Sequence, residues 1–144
     1  MRGITLCFIL CLLILACMGG CLAPSSPPGE LTGHPWKLVS YNNGNELADA
    51  GPLTIITLKF GEDGRISGNA GCNDYFGDYR LEGGLISVRR LGATEKYCLA
   101  PEGIMDMEQT YFLLLKNVTR YSIDQGELTL SHYDEEKLLI FSKQ

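Results

Sequence analysis

A glycine-rich segment at residues 68–79, with the sequence GNAGCNDYFGDY, constrains this chain more than any other feature. Its glycine content is that of a linker, but linkers lack large apolar side chains and this segment carries three aromatic residues. Because strand-like sequence flanks it on both sides, we predict a tightly folded connection whose glycines permit sharp bends. Cys98 is the next cysteine after Cys72, and a disulfide between them would tie this connection to the start of a later helix.

The N-terminus has the layout of a secretory signal. Arg2 precedes an uncharged, almost wholly apolar run over residues 4–18, and small residues follow it. Residues 18–21, Met-Gly-Gly-Cys, resemble a lipobox, in which Cys21 is lipidated and becomes the first residue of the mature chain.

Three other interpretations of this segment stay open. Residues 14–17, Ile-Leu-Ala-Cys, form a weaker second lipobox. The uncharged stretch over residues 4–23 is also long enough for a retained membrane helix, and plain secretion without an anchor is the third possibility. Each interpretation places the folded domain in the cell envelope or beyond it, on the extracytoplasmic side of the membrane.

The sequence therefore predicts three segments. Residues 1–21 form a signal peptide with a lipobox, or a membrane anchor. Residues 22–30 form a Pro/Ser-rich tether that Pro27 and Pro28 stiffen locally, and residues 31–144 form one folded domain.

Cysteine usage agrees with an oxidising compartment. Three of the six cysteines, Cys7, Cys11 and Cys17, lie in the apolar segment, and Cys21 is the lipidation candidate. Cys72 and Cys98 remain as an even pair, for which we predict a structural disulfide. A metal or redox role is disfavoured because the sequence has no CxxC motif and no histidine nearby.

The charge of the chain limits its partners. The formal net charge is −5, and removal of Arg2, the one charged residue among the first 21, makes it −6. An acidic domain is a poor nucleic-acid binder, so no nucleic-acid partner is predicted. The sequence also shows no basic patch for anionic lipid, so membrane attachment is expected only through the N-terminus.

The hydrophobic pattern favours short antiparallel strands and one amphipathic helix. Apolar residues recur at steps of three and four after Pro101 and predict a helix that reaches Val118. Pro101 is expected in the first turn of this helix. Alternating patterns with tight turns predict eight strands, at residues 36–41, 53–60, 65–67, 78–82, 85–89, 119–123, 127–131 and 137–141. The predicted fold class is mainly β, a small antiparallel eight-stranded barrel with the helix packed across one mouth.

No catalytic set is predicted. His34 and His132 lie at opposite ends of the domain and are expected to be exposed turn residues. The acids around the helix and the glycine-rich segment are expected to be solvated surface groups; they are Asp74, Asp78, Glu95, Glu102, Asp106 and Glu108. The spacing of oxygen ligands does not follow a calcium-binding loop, and no metal or other cofactor is predicted.

Several of these residues together resemble the META domain family, which includes the HslJ-type heat-shock lipoproteins. The first block of the resemblance is residues 36–40 (WKLVS), 58–60 (LKF) and 67–79 (SGNAGCNDYFGDY). The second is a T-x-x-x-C segment that leads into a helix with an internal Glu, and it is carried by Thr94, Cys98, Pro101, Met105, Glu108 and Leu115. The closing strands match at residues 128–130 and 138–141, so the resemblance covers about residues 31–142.

The resemblance implies a barrel-like antiparallel fold with a helix, an envelope location and a link to the heat-shock response and antibiotic resistance. It implies no reaction and no catalytic residue, and Gly71, Cys72 and Asn73 match the family signature. A recognition role is the sharper hypothesis for the loop, with the candidate residues Asn69, Gly71, Asn73, Asp74, Tyr75, Phe76 and Tyr79.

The expected function is a monomeric, non-enzymatic envelope module that binds an unknown envelope or extracellular protein or supports envelope integrity under stress. The first alternative is a macromolecular inhibitor of a lysozyme or protease, since an acidic face suits a basic enzyme. The second alternative is a carrier of one small apolar ligand inside the barrel.

Overall fold

The computed structural model describes residues 28–51, 55–134 and 136–144. The predicted signal or anchor at 1–21, including Cys21, lies outside the described residues, as do residues 22–27 of the predicted tether. The elements in chain order are α1 (Pro28–Leu31), β1 (Pro35–Asn42), β2 (Leu47–Asp49), β3 (Thr57–Phe60), β4 (Arg65–Asn69), β5 (Asp74–Glu82), β6 (Leu85–Ala93), α2 (Ile104–Lys116), β7 (Arg120–Asp124), β8 (Glu127–Ser131) and β9 (Lys137–Lys143).

The strands form one antiparallel sheet that closes on itself. Its order is β2-β1-β3-β4-β5-β6-β7-β8-β9, and β1 also pairs with β9 along most of its length. Eight strands, β1 and β3 to β9, therefore make the ring, and the predicted eight-stranded barrel is confirmed. The ninth strand, β2, pairs only with the last three residues of β1 and is too short for its alternation to be recognised in the sequence.

Side chains from all eight ring strands fill the barrel. Alternate residues of a strand point to the same face of the sheet, and the inward set is buried throughout. It comprises Trp36, Leu38, Leu58, Phe60, Ile66, Tyr75, Ile86, Val88, Tyr121, Leu128, Leu130, Leu139 and Phe141. The side chains of Trp36, Phe60 and Phe141 are at most 1% exposed, so the interior is a packed core.

The helix α2 closes one mouth of this barrel, as predicted. Its Tyr111 ring lies 5.6 Å from Tyr75 on β5 and 6.5 Å from Phe141 on β9. In the ring order β5 and β9 are on opposite sides, so Tyr111 bridges the two walls from above the core. The buried helix residues Ile104, Glu108, Tyr111 and Leu115 recur at steps of four, three and four and form one face.

The start of α2 differs from the prediction. Pro101 precedes the helix, which begins at Ile104, because Gly103 at the N-cap adopts a left-handed conformation with φ of 80°. A left-handed residue interrupts the right-handed helix, and glycine adopts it without the steric cost that a Cβ brings.

The closest backbone approach near the glycine-rich segment is at Gly68 on β4. A Cβ at Gly68 would lie 1.9 Å from the carbonyl oxygen of Thr57 and 2.9 Å from the Tyr75 ring. The same Thr57 oxygen accepts a hydrogen bond of 2.9 Å from the Tyr75 hydroxyl. Only glycine therefore allows β3, β4 and the Tyr75 side chain to meet at this point.

We expect Gly68→Ala to lower the free energy of unfolding by about 1–3 kcal/mol, since the methyl group forces the two backbones apart. Gly84→Ala is the matched control, because a Cβ at Gly84 meets nothing within 4 Å, and its effect should stay within about 0.5 kcal/mol. Urea denaturation of both variants measures the difference. Equal stability of the two variants would contradict the close approach.

Candidate functional site

Only residues 70–73 of the glycine-rich segment form the turn between β4 and β5, because residues 68–69 end β4 and residues 74–79 begin β5. The prediction of a connection over residues 68–79 is therefore wrong for most of its length. A disulfide fixes the turn to the connection before α2. Cys72 and Cys98 are bonded, with their Cα atoms 5.8 Å apart, so the structure contains the predicted pair. Cys72 is 6% exposed. The bridge joins the turn to residues 94–103, which form neither helix nor strand, and thereby limits how far this connection can move.

Asn73 stands next to the disulfide and is 3% exposed. Its side-chain oxygen accepts hydrogen bonds from the Thr94 hydroxyl and from the Lys96 backbone N–H, each 2.7 Å long. Its side-chain nitrogen donates to the Lys96 carbonyl at 3.1 Å and to the Glu108 carboxylate at 2.8 Å. An asparagine amide has two donor hydrogens and two acceptor lone pairs, so every hydrogen-bonding position of Asn73 is in use.

Glu108 is a buried carboxylate on α2, and the expectation that it is a solvated surface acid is wrong. It is 6% exposed, and its two oxygens accept from the Asn73 backbone N–H at 2.7 Å and from the Asn73 side chain at 2.8 Å. These bonds replace those that the charge loses with water. The signal in the sequence was its position, four residues after Ile104 and three before Tyr111, on the apolar face of the helix.

A pair of tyrosine hydroxyls joins β5 to α2. The Tyr75 and Tyr111 oxygens are 2.6 Å apart. Because the Tyr75 proton is donated to the Thr57 carbonyl, Tyr111 is the donor between the two hydroxyls. Burial raises the pKa of Tyr75 and of Tyr111 well above the ordinary value of 10.0, so both phenols stay neutral and act as structural hydrogen-bonding groups.

Five of the seven predicted recognition residues are buried or make contacts within the fold. Asn73 and Tyr75 are buried as described, and Gly71 has a φ of 109° beside Ile104. The Asn69 side chain accepts a 2.8 Å hydrogen bond from the Gly71 backbone. Tyr79 donates at 2.7 Å to the Gly61 carbonyl.

The other two, Asp74 and Phe76, point outward from β5. Phe76 is 64% exposed and its ring covers Gly92, where a Cβ would lie 2.9 Å from the ring. Asp74 forms an ion pair of 3.2 Å with Lys96. The Asn69 amide and the Lys96 ammonium hold the pKa of Asp74 below its ordinary value, so this carboxylate is charged at neutral pH.

Two exposed apolar residues that we did not single out flank the disulfide. Tyr97 is 79% exposed and Leu99 is 83% exposed, although Cys98 between them is held by Cys72 and Lys96 by Asn73. We call the outward residues Asp74, Phe76, Tyr97 and Leu99 the cystine face. The apolar side chains of Phe76, Tyr97 and Leu99 leave surface in water that a partner could bury.

The two histidines have different surroundings. His34 packs against Trp36, with ring centroids 4.6 Å apart, and is therefore not the free turn residue that was expected. Burial, followed by the charge of Lys143, lowers the pKa of His34. His132 lies in a turn with its Nδ1 atom 3.3 Å from Asp134.

Within residues 28–51, 55–134 and 136–144, no three His, Cys, Asp or Glu side chains are grouped as a metal site requires. Asp74 and Asp78, the acids nearest the glycine-rich turn, are occupied by Lys96 and Arg90. None of the helices in the same part of the chain is long and apolar enough to span a bilayer.

We expect Glu108→Gln to lower the free energy of unfolding by about 1–3 kcal/mol, because the new NH₂ group faces an N–H donor of Asn73. Thermal and urea unfolding measure the loss. Glu95→Gln, an exposed acid in the adjoining connection, is the control and should be close to wild type. If Glu108→Gln is as stable as the control, the buried carboxylate does not hold the turn to the helix.

Comparison with known proteins identifies relatives of this chain. Escherichia coli (strain K12) "Heat shock protein HslJ" is 28% identical over 117 residues, which cover 79% of this chain and 80% of that protein. A solved structure of a Burkholderia xenovorans protein superposes with a TM-score of 0.65 at 24% identity and covers 79% of this chain and 83% of its own. A Bacteroides vulgatus ATCC 8482 crystal structure has a TM-score of 0.59 at 15% identity, with coverage of 78% and 93%.

The two structural neighbours show a shared fold. The family model described as META domain matches residues 29–144, which contain the disulfide, the Asn73 and Glu108 pair and all nine strands. This range agrees with the residues that carried the resemblance in the sequence. The chain belongs to the META domain family.

Proposed function

We propose that this chain is an envelope-anchored, non-enzymatic stress-response module that binds a protein partner through the cystine face. The observation that carries the proposal is that the signature residue Asn73 and its partner Glu108 are fully hydrogen-bonded within the protein. Asn73 and Glu108 satisfy each other and the neighbouring backbone, which leaves them no free group for chemistry. They hold the β4–β5 turn against the connection after β6. Phe76 on β5 and Tyr97 and Leu99 in that connection extend into solvent.

Apolar and aromatic side chains on a fixed backbone suit protein recognition. Their burial by a partner recovers free energy from water, at about 25 cal/mol per Å². Because the disulfide and the Asn73 hydrogen bonds already order the loop, binding costs less conformational entropy than it would for a mobile loop. Aromatic residues such as Tyr97 and Phe76 are also enriched at the centres of protein interfaces.

The envelope location is supported by the sequence and by the disulfide. The lipobox at residues 18–21 predicts lipidation of Cys21, and structural disulfides persist in oxidising compartments. The Escherichia coli relative is named as a heat shock protein, which supports the link to stress. The filled interior gives no support to the alternative of a small-ligand carrier.

The test uses the full-length protein in its native membrane, crosslinked before and after heat stress, with mass spectrometry of the products. We expect a specific envelope protein crosslinked to the cystine face and a mature N-terminus at lipidated Cys21. The double variant Tyr97→Ser/Leu99→Ser should lose this partner. Leu113→Ser, which changes a 61% exposed residue on α2, is the control and should keep it.

Two results would contradict the proposal. One is recovery of the protein without any partner under both conditions. The other is equal capture by the two variants, which would place the contact outside the cystine face.

A further inference from the structure

A second outward surface lies on β5 and β6. It is rich in arginine, whereas the cystine face is mainly apolar. Residues 28–144 contain five arginines, Arg65, Arg80, Arg89, Arg90 and Arg120, although the chain as a whole is acidic. Four of them lie on the neighbouring strands β4, β5 and β6. The absence of a basic run in the sequence suggested that no such patch exists, but strand pairing brings these separate residues together.

A β-bulge places two consecutive arginines on this surface. In the β5 and β6 pair, Phe76 is opposite Gly92 but Asp78 is opposite Arg89, so β6 contains one extra residue. Arg90 lies in that bulge with a φ of 52°. Consecutive residues of a regular strand point to opposite faces, whereas here both Arg89 and Arg90 are exposed.

These side chains line an open groove of about 240 Å³ together with Asp78, Tyr79, Arg80 and Ser87. Arg90 is neutralised by an ion pair with Asp78. Among the ion pairs and hydrogen bonds found in the described part of the chain, none involves the Arg80 or Arg89 side chain. Ser87 is directly opposite Arg80 in the ladder and adds a hydroxyl donor.

The charges in this groove match a phosphate monoester. Two unpaired guanidinium groups supply about two positive charges, and a phosphate monoester carries about −1.5 to −2 at pH 7. Residues diagonal across an antiparallel pair, such as Arg80 and Arg89, have their Cα atoms about 7–8 Å apart, which long side chains readily bridge. The planar fork of each guanidinium donates two parallel hydrogen bonds to phosphate oxygens.

We propose that the groove of Arg80, Ser87, Arg89 and Arg90 binds the phosphate group of a soluble phosphomonoester ligand. A soluble ligand is favoured over an anionic lipid surface because Glu82, two residues after Arg80 on β5, and Asp63, beside Arg65, place negative charge next to the groove. A flat anionic membrane would meet these acids together with the arginines. A small ligand would meet only the groove, in which the one acid, Asp78, is already paired with Arg90. This site does not depend on the partner proposed for the cystine face.

The test is an NMR titration of the ¹⁵N-labelled full-length protein in zwitterionic detergent micelles, at neutral pH and low salt without phosphate buffer. Phenyl phosphate is the probe, and benzoate is the matched probe with the same ring and a single negative charge. We expect phenyl phosphate to shift the amide signals of residues 78–80 and 87–90 and to bind at least about tenfold more tightly than benzoate. The affinity should fall as salt is added.

Variants test whether phenyl phosphate binds in the groove. Arg89→Ala should weaken phenyl phosphate binding at least about tenfold, as expected for the loss of charge-assisted hydrogen bonds. Arg89→Lys should weaken it less, because the charge remains but the fork is lost. Arg120→Ala removes an exposed arginine on β7 that does not line the groove and should bind like wild type. Unchanged melting temperatures confirm that the variants are folded.

Three results would overturn the proposal. They are equal affinity for benzoate and phenyl phosphate, equal weakening by Arg89→Ala and Arg120→Ala, and binding to phosphatidate vesicles without binding to phenyl phosphate. The last would assign the surface to a lipid membrane.

Discussion

The buried hydrogen bonds between Asn73 and Glu108 are the interaction on which the rest of this structure depends. A single asparagine binds the carboxylate through both its backbone and its side chain, and its remaining positions hold the connection at Thr94 and Lys96. The β4–β5 turn, the connection after β6 and the helix thus meet at one residue. The disulfide lies beside this point, and the tyrosine pair joins β5 to the same helix.

Much of this fold follows from local sequence. The strand prediction at residues 127–131 matches β8, and cysteine usage predicted the disulfide without further information. The missed features depend on contacts between distant residues. Helical spacing places Glu108 on the apolar face of α2, but its partner Asn73 comes from the β4–β5 turn. Arg80 and Arg89 come together only through the register of β5 and β6. The hydrophobic periodicity of one segment does not show which distant residues that segment will contact.

The strand β5 connects the fold to both proposed surfaces. Its inward residues Tyr75 and Tyr79 build the core, while its outward residues Phe76 and Arg80 belong to the cystine face and the arginine groove. One surface is apolar and the other positively charged, so they suit different ligands. The META domain signature therefore describes the framework of this chain, and both recognition roles that we propose are assigned to outward residues on that framework.

The most direct measurement of the central claim is hydrogen exchange at the Asn73 backbone amide, which donates to the buried Glu108 carboxylate. If the network is the structural centre, this amide exchanges only through global unfolding, with a protection equal to that of the core amides in β8 and β9. Rapid exchange at Asn73 while those core amides stay protected would contradict the account. The turn would then open independently of the barrel, and its residues would be available for a functional role of their own.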